Sequence, residues 1–289
     1  MKPLKEEDPG FQKILDYLLK SKGFDGNQYK QNYVKRRVAV RMRATGTHSY
    51  SDYLNALLNN QQEPTQLLDR LTIHVTEFFR DPDVYRAVKE KILPELSGVS
   101  DRKVKVWCAG CSSGEEPYSV AMMLKEWAFS QPGLTFEIFA TDIDLGSVRT
   151  AEKGEYPAEA IRKLSKVQTT RWFYLEGARA RVVLDLKKHI HFRVHDLISE
   201  WGGDFSGFHL IFCRNLLIYL TSGQQQKIYE QFARAMAPEG HLILGLTETL
   251  MGASRKYFRC VDIRHRIYRR IEKSDEGLNS QNEKTALDG

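Results

Sequence analysis

Residues 104–118 (Val-Lys-Val-Trp-Cys-Ala-Gly-Cys-Ser-Ser-Gly-Glu-Glu-Pro-Tyr) confine this chain to an α/β design. A β-branched run enters a loop of small residues with glycines at Gly110 and Gly114. Glu115, Glu116 and Pro117 then open an apolar-periodic helix. Strand, glycine loop and helix N-terminus is how a parallel sheet brings backbone N–H groups close to a nucleotide-like ligand. Pro117 suits a first turn, where no N–H is required, and paired glutamates suit the positive end of the helix dipole.

The pattern that follows alternates. A strand at 104–107 precedes a helix over 117–130, and a strand at 135–141 ends in Asp142. A strand near 190–194 leads to His195-Asp196, and the apolar run 209–213 ends in Arg214-Asn215. A helix begins at Ser222 and stops near Pro238-Glu239-Gly240. A strand at 241–246 follows, and two β-rich stretches, 256–262 and 264–271, are close enough for an antiparallel hairpin at one edge. Alternating βα units with short apolar strands predict a mostly parallel sheet covered on both faces. Residues 170–188 interrupt the alternation with short β-like pieces and read as a small inserted β-subdomain.

Upstream, residues 10–90 read as helical. Phe11, Ile14, Leu15, Leu18 and Leu19 repeat at helical spacing, as do Tyr53, Leu54, Leu57 and Leu58. Asp81-Pro82 opens a helix carrying Val84, Tyr85, Val88, Ile92 and Leu93, and a polar joint spans 97–103. The expected organisation is an all-α domain over 1–90 and an α/β domain over 91–271. The polar stretch 272–289 has no apolar face and is expected to be disordered.

At 289 residues and 42% hydrophobic, the chain can bury a sizeable core. Its net charge of +6 points to an acidic partner without choosing among nucleic acid, membrane and protein. No apolar run reaches the ~20 residues that cross a bilayer, and the N-terminal residues lack a signal-peptide core. Four cysteines make no disulfide framework in a chain this long, so a soluble, cytoplasmic protein is expected.

Ligands of open α/β sheets sit beyond the carboxyl ends of the strands, which here collects residues 109–116, Asp142, His195-Asp196 and Arg214-Asn215. Asp142 could accept both ribose hydroxyls of a nucleoside; alternatively it caps the next helix. Trp107-Cys108-Ala109-Gly110-Cys111 also has the look of a thioredoxin-like pair, but the helix begins too late to depress a thiol. Cys213 and Cys260 are isolated, which argues against zinc, and no metal is expected. A nicotinamide enzyme would need Gly-x-Gly-x-x-Gly; the spacing Gly-x-x-x-Gly suits a ligand without a diphosphate, such as S-adenosylmethionine.

Four segments together resemble the CheR-type chemotaxis receptor methyltransferases. They are Leu-Thr-Ile-His-Val-Thr-Glu-Phe-Phe-Arg-Asp (71–81), Trp-Cys-Ala-Gly-Cys-Ser-Ser-Gly-Glu-Glu-Pro-Tyr-Ser (107–119), Ala-Thr-Asp-Ile-Asp (140–144) and Ile-Phe-Cys-Arg-Asn-Leu-Leu-Ile-Tyr (211–219). The resemblance implies a class I (Rossmann-like) methyltransferase sheet with a small β-subdomain, preceded by a helical domain. It also implies methyl transfer from S-adenosylmethionine to glutamates on chemoreceptor helices, leaving S-adenosylhomocysteine. By matching position, the cofactor contacts would be His74, Thr76, Arg80, Glu116, Asp142, Asp196, Leu197, Arg214 and Asn215, with Arg80 and Tyr219 near the transferred methyl. His74 stands where the family usually has asparagine, which would make that contact pH-dependent.

An ionised glutamate needs no general base at neutral pH, in keeping with a chain that shows no Ser-His-Asp or Cys-His arrangement. Lys35, Arg36, Arg37, Arg41 and Arg43 lie on one helix with no acid among them, opposite a stripe of Val34, Val38 and Met42. They form either a solvated face or a docking surface for an acidic, glutamate-bearing receptor helix. A nucleic-acid methyltransferase is the rival reading, disfavoured by the absence of an Asp/Asn-Pro-Pro-Tyr-like motif or a Pro-Cys loop; a non-catalytic module that binds S-adenosylmethionine is a second. No nucleic-acid partner and no membrane insertion are expected, and a monomer is the simplest assembly.

Overall fold

The computed structural model describes residues 9–72, 76–199, 201–202, 205–250 and 252–271; the tail expected over 272–289 lies outside them. The chain divides into two compact units, residues 1–73 with 219–224, and residues 74–218 with 225–289.

In the first unit, α1 (Pro9–Lys22), α2 (Gln31–Ala44), α3 (Tyr50–Asn59) and α4 (Glu63–Leu71) enclose one apolar cluster. Phe11, Ile14, Leu15 and Leu18 of α1 meet Val34, Val38, Tyr53, Leu57 and Leu67 there. Leu19 and Leu58 were expected on the same stripes but face solvent, because each sits one residue past the arc that the core covers. Ser49 fixes the start of α3 by accepting the Asp52 N–H at 3.1 Å. Inside the cluster, Arg41 donates to Glu63 from Nε (2.9 Å) and Nη2 (2.7 Å), and the Tyr53 hydroxyl donates to Glu63 Oε1 at 2.7 Å. Residues 219–221 join this unit: the Lys30 N–H donates to the Tyr219 carbonyl (2.8 Å), and the Thr221 N–H to the Gln28 carbonyl (2.9 Å).

The second unit holds a seven-stranded sheet. In chain order its strands are β1 (Lys103–Ala109), β2 (Thr135–Asp142), β6 (Ile190–Val194), β7 (Phe208–Cys213), β8 (Met236–Leu244), β9 (Phe258–Asp262) and β10 (Ile267–Arg270). Across the sheet the order is β6-β2-β1-β7-β8-β10-β9. The first five strands are parallel, and β10 runs antiparallel to both β8 and β9, which is the expected edge hairpin. Val106, Trp107 and Cys108 are consecutive and all fully buried, so both faces of β1 are covered. The helices of this unit include α5 (Pro82–Ala87), α6 (Glu115–Ala128), α7 (Leu145–Lys153), α8 (Lys166–Trp172), α9 (Leu184–Lys187) and α10 (Ser222–Ala235), the last beginning in residues grouped with the first unit.

Two boundaries differ from expectation. The joint expected at residue 90 falls instead near 73, because Phe78, Val84, Tyr85, Val88, Ile92 and Leu93 pack into the core of the sheet. The inserted β-subdomain expected over 170–188 begins earlier. Its three strands are β3 (Glu155–Pro157), β4 (Phe173–Glu176) and β5 (Arg179–Val182), in the order β3-β5-β4, while residues 184–187 are a helical turn. A three-residue strand ending in proline is too short to show a period-two pattern.

Candidate active site

The glycine loop is pinned at both ends. Gly110 and Cys111 donate their N–H groups to the Thr141 carbonyl (2.8 and 2.9 Å), tying the end of β1 to the end of β2. Gly114 has φ +98°, and a Cβ there would lie 2.8 Å from Ala151 Cβ and 2.9 Å from the Tyr156 hydroxyl. That hydroxyl donates to the Ser113 carbonyl at 2.7 Å. Helix α6 starts at Glu115, two residues before the expected position, so Pro117 lies inside its first turn.

Seven described residues other than glycine have positive φ, and four of them, Phe79, Asp81, Ser112 and Asn215, belong to the segments singled out from the sequence. Each such conformation costs on the order of 1–3 kcal/mol and persists only where surrounding contacts over-determine it. Here those contacts are visible. Ser112 donates its N–H to Asp142 Oδ2 (2.8 Å), and Phe79 donates its N–H to Ser119 Oγ (2.8 Å), which anchors the 76–81 segment on α6.

At the centre lies Arg214, whose side chain is 1% exposed. Its Nη2 donates to Asp81 Oδ2 at 2.6 Å, its Nη1 lies 3.5 Å from Glu116 Oε2, and its guanidinium sits 5.7 Å from the centre of the Tyr85 ring. Arg214 Nε and Nη1 and Asn215 Oδ1 are buried and make no hydrogen bond, and neither does the buried Ser112 Oγ of the glycine loop. Glu116 is 13% exposed. Burial raises its pKa to about 7; Arg214 opposes the rise, Glu248 adds to it, and Arg80 opposes it.

Asp142 and Asp196 stand at the carboxyl ends of adjacent strands. Asp142 accepts the Ser112 N–H on Oδ2 and the Asp144 N–H on Oδ1 (3.0 Å), while its backbone carbonyl accepts the His195 N–H at 2.9 Å. The cap of α7 is Asp144, which accepts the Ser147 N–H at 2.7 Å, so Asp142 is not that cap. Asp196 orders the next turn by accepting the Ile198 N–H at 2.9 Å, and Leu197 is buried.

The other candidates are placed as follows. Thr76 and Arg80 are half-buried, and His74 lies outside the described residues. Tyr219 packs in the helical unit, with its ring 4.8 Å from that of Tyr33. Arg36 and Arg43 are exposed. Lys35 lies over the Phe11 ring (5.1 Å) and Arg37 over the Tyr33 ring (5.4 Å). Arg41 departs from the expected docking set, because its guanidinium is committed to Glu63 inside the domain. Asp81, Ser119 and Glu248 belong to the site's framework but were given no role from the sequence; Asp81 and Ser119 lie at the ends of segments already singled out, 71–81 and 107–119, and Glu248 lies in none. The thioredoxin-like reading fails on chemistry: Cys108 lies within β1, and burial pushes both the Cys108 and Cys111 thiols well above their usual range.

Residues 74–267 match the family described as CheR methyltransferase, SAM binding domain, and residues 9–72 match its all-alpha domain. The chain belongs to the CheR methyltransferase family. A chemotaxis protein methyltransferase of Listeria monocytogenes is 31% identical over 229 residues, covering 79% of this chain and 86% of the relative. One from Escherichia coli is 30% identical over 257 residues, covering 86% of this chain and 87% of the relative. The cofactor of this CheR-family chain is S-adenosylmethionine. The residues present fit it: unsatisfied buried donors on Arg214 suit a carboxylate, Glu116 suits an ammonium group, and strand-end carboxylates suit ribose hydroxyls.

Proposed function

We propose that this protein methylates glutamate side chains on the cytoplasmic helices of chemotaxis receptors, giving glutamate methyl esters and S-adenosylhomocysteine, and that it works in the cytoplasm as a monomer. The observation that carries this reading is the buried Arg214, with donors left unsatisfied beside Glu116, in a chain of the CheR family. Arg214 would hold the cofactor's carboxylate, Glu116 its ammonium, and Asp142 its ribose, with His74, Thr76, Arg80, Asp196, Leu197 and Asn215 completing the contacts.

When bound, S-adenosylmethionine supplies a methyl group on a positively charged sulfur. A glutamate carboxylate would take that methyl on oxygen with its own electron pair, the sulfur keeping the pair of the bond it gives up. No proton moves, because a glutamate of pKa ~4.3 is already ionised at neutral pH. The protein's task is alignment, which can supply up to ~7–11 kcal/mol of barrier reduction. Arg80 would orient the incoming carboxylate through a modest contact, since a tight bidentate clamp would blunt the nucleophile. Tyr219 would stand near the sulfonium, where an aromatic face favours a cation. Lys35, Arg36, Arg37 and Arg43 would steer the acidic receptor helix to the enzyme.

Incubation with radiolabelled S-adenosylmethionine and a receptor cytoplasmic fragment tests this. Alkali-labile label on the receptor, reduced by Arg80→Ala and by Tyr219→Phe in folded protein, is the expected result. Label on nucleic acid instead, or none on the receptor fragment, would overturn the reading.

A further inference from the structure

Glu248 lies just beyond the end of β8, in a Leu-Thr-Glu-Thr turn, and is 3% exposed. Its partners are backbone N–H groups drawn from two separate loops. Oε2 accepts from Asn215 (2.8 Å) and Gly245 (2.7 Å), and Oε1 accepts from Leu217 (2.8 Å). The Ile218 N–H also stabilises the charged form. A buried carboxylate with donors on both oxygens is a cross-brace between the chain leaving β7 and the chain leaving β8. Glutamine could not replace it, because its NH₂ would face an N–H and leave two donors opposed.

What the brace holds is the 214–218 loop. Asn215 keeps φ +59° while donating to Glu248. Leu216, between two braced residues, lies against the glycine loop so closely that a Cβ at Gly110 would be 2.7 Å from its Cδ2. The turn that carries Glu248 is equally tight. A Cβ at Gly245 would lie 2.7 Å from Glu248 Oε2 and 2.8 Å from the Asn215 nitrogen.

We propose that Glu248 is a positioning residue for cofactor binding: by collecting the backbone N–H groups of Asn215, Leu217 and Gly245, it sets the loop that presents Arg214 and Asn215. Glu248 acts through the backbone of that loop. The inference rests on the assignment of Arg214 and Asn215 to S-adenosylmethionine.

The experiment measures S-adenosylhomocysteine affinity by calorimetry and thermal midpoint by circular dichroism for Glu248→Gln, Gly245→Ala, Asn215→Ala and a control, Asp262→Asn. Asp262 is another buried carboxylate of the same unit, bonded to Lys91 at 2.6 Å and to the His265 N–H at 3.1 Å, at the far edge of the sheet. Glu248→Gln is expected to weaken binding about tenfold or more and to raise KM for S-adenosylmethionine more than it lowers kcat. Gly245→Ala, which displaces the carboxylate without removing it, should act in the same direction. Asp262→Asn should lower the midpoint and leave affinity unchanged. Wild-type affinity in Glu248→Gln, or affinity loss in Asp262→Asn matching its loss of stability, overturns the proposal. If Glu248→Gln does not fold, Gly245→Ala decides; failure of both to fold also overturns it, since Glu248 would then be needed for folding itself. Weak binding in Asn215→Ala with normal binding in Glu248→Gln overturns the positioning role alone. Normal binding in both overturns the assignment of the 214–215 loop to the cofactor as well.

Discussion

Glu116 should make cofactor affinity depend on pH. Its carboxyl titrates near pH 7 rather than about 4.5, chiefly because it is buried. A shift of that size amounts to roughly 3 kcal/mol favouring the protonated form in the folded, unliganded protein. The sign follows from the raised value: the fold is favoured while Glu116 is protonated, and that advantage is lost as pH climbs from about 4.5 through about 7. A bound ammonium group would reverse the balance by favouring the carboxylate. With a pKa of about 7, about one-tenth of Glu116 is ionised at pH 6 and about nine-tenths at pH 8. The affinity for S-adenosylhomocysteine should therefore rise about tenfold between those pH values, close to ~1.4 kcal/mol. Calorimetry at pH 7 in buffers of different ionisation heat should show release of about half a proton per ligand bound. Among its neighbours, Glu248 acts in the same direction as burial, whereas Arg214 and Arg80 oppose it. Glu116→Gln should abolish the slope, and His74→Asn should leave it in place. A flat profile in the wild type, or a tenfold slope that survives in Glu116→Gln, would refute the reasoning.

Four further outcomes can be checked. Arg41→Ala strands Glu63, 2% exposed, without its cation, and should cost about 3–5 kcal/mol in denaturant titration; Arg41→Met with Glu63→Leu should recover part of it. The same pair predicts acid sensitivity. Burial pushes Glu63 up, but hydrogen bonds from Arg41 and Tyr53 outweigh it and leave the pKa lowered, so this stabilisation is present above about pH 4.5 and is lost on acidification. Arg36→Glu with Arg43→Glu should reduce receptor methylation most at low salt and leave S-adenosylhomocysteine affinity within about twofold, a comparison that titration calorimetry and a salt series would settle. Gly114→Ala should destabilise by about 1–3 kcal/mol and weaken the cofactor, whereas Gly177→Ala, also at positive φ but with open space around its Cβ, should cost about 1 kcal/mol and spare binding.

The parallel sheet was legible because each strand carries its own local signal. Residues 104–107, 136–141 and 210–213 are short, largely apolar runs, and the last two stop at Asp142 and Arg214, which the sheet then places at its carboxyl edge. The helical stripe of 84–93 was equally clear, yet periodicity names a buried face without naming the core that buries it. That stripe packs on the sheet, which moves the domain joint to near 73. Arg41 shows the same ambiguity for charge. Within a run of basic residues it reads as solvated, and the glutamate that captures it lies 22 residues away on another helix.

Glu248 marks a sharper boundary on what a sequence displays. Side-chain partnerships leave a trace at both positions, as Arg41 and Glu63 do once they are seen together. A carboxylate that binds backbone N–H groups leaves a trace at only one, because every residue except proline offers the same donor. Gly245 is the nearest thing to a second trace: a Cβ there would collide with both the carboxylate and its Asn215 donor. Glycine three residues before a strand-end glutamate is an ordinary turn pattern by itself. It gains meaning only when the parallel order β7-β8 puts that turn beside the chain leaving β7. The site's acids thus separate by how they are found. Glu116 and Asp142 stand at helix and strand ends that the sequence itself marks, whereas Glu248, whose donors come from two loops, emerges only from the fold.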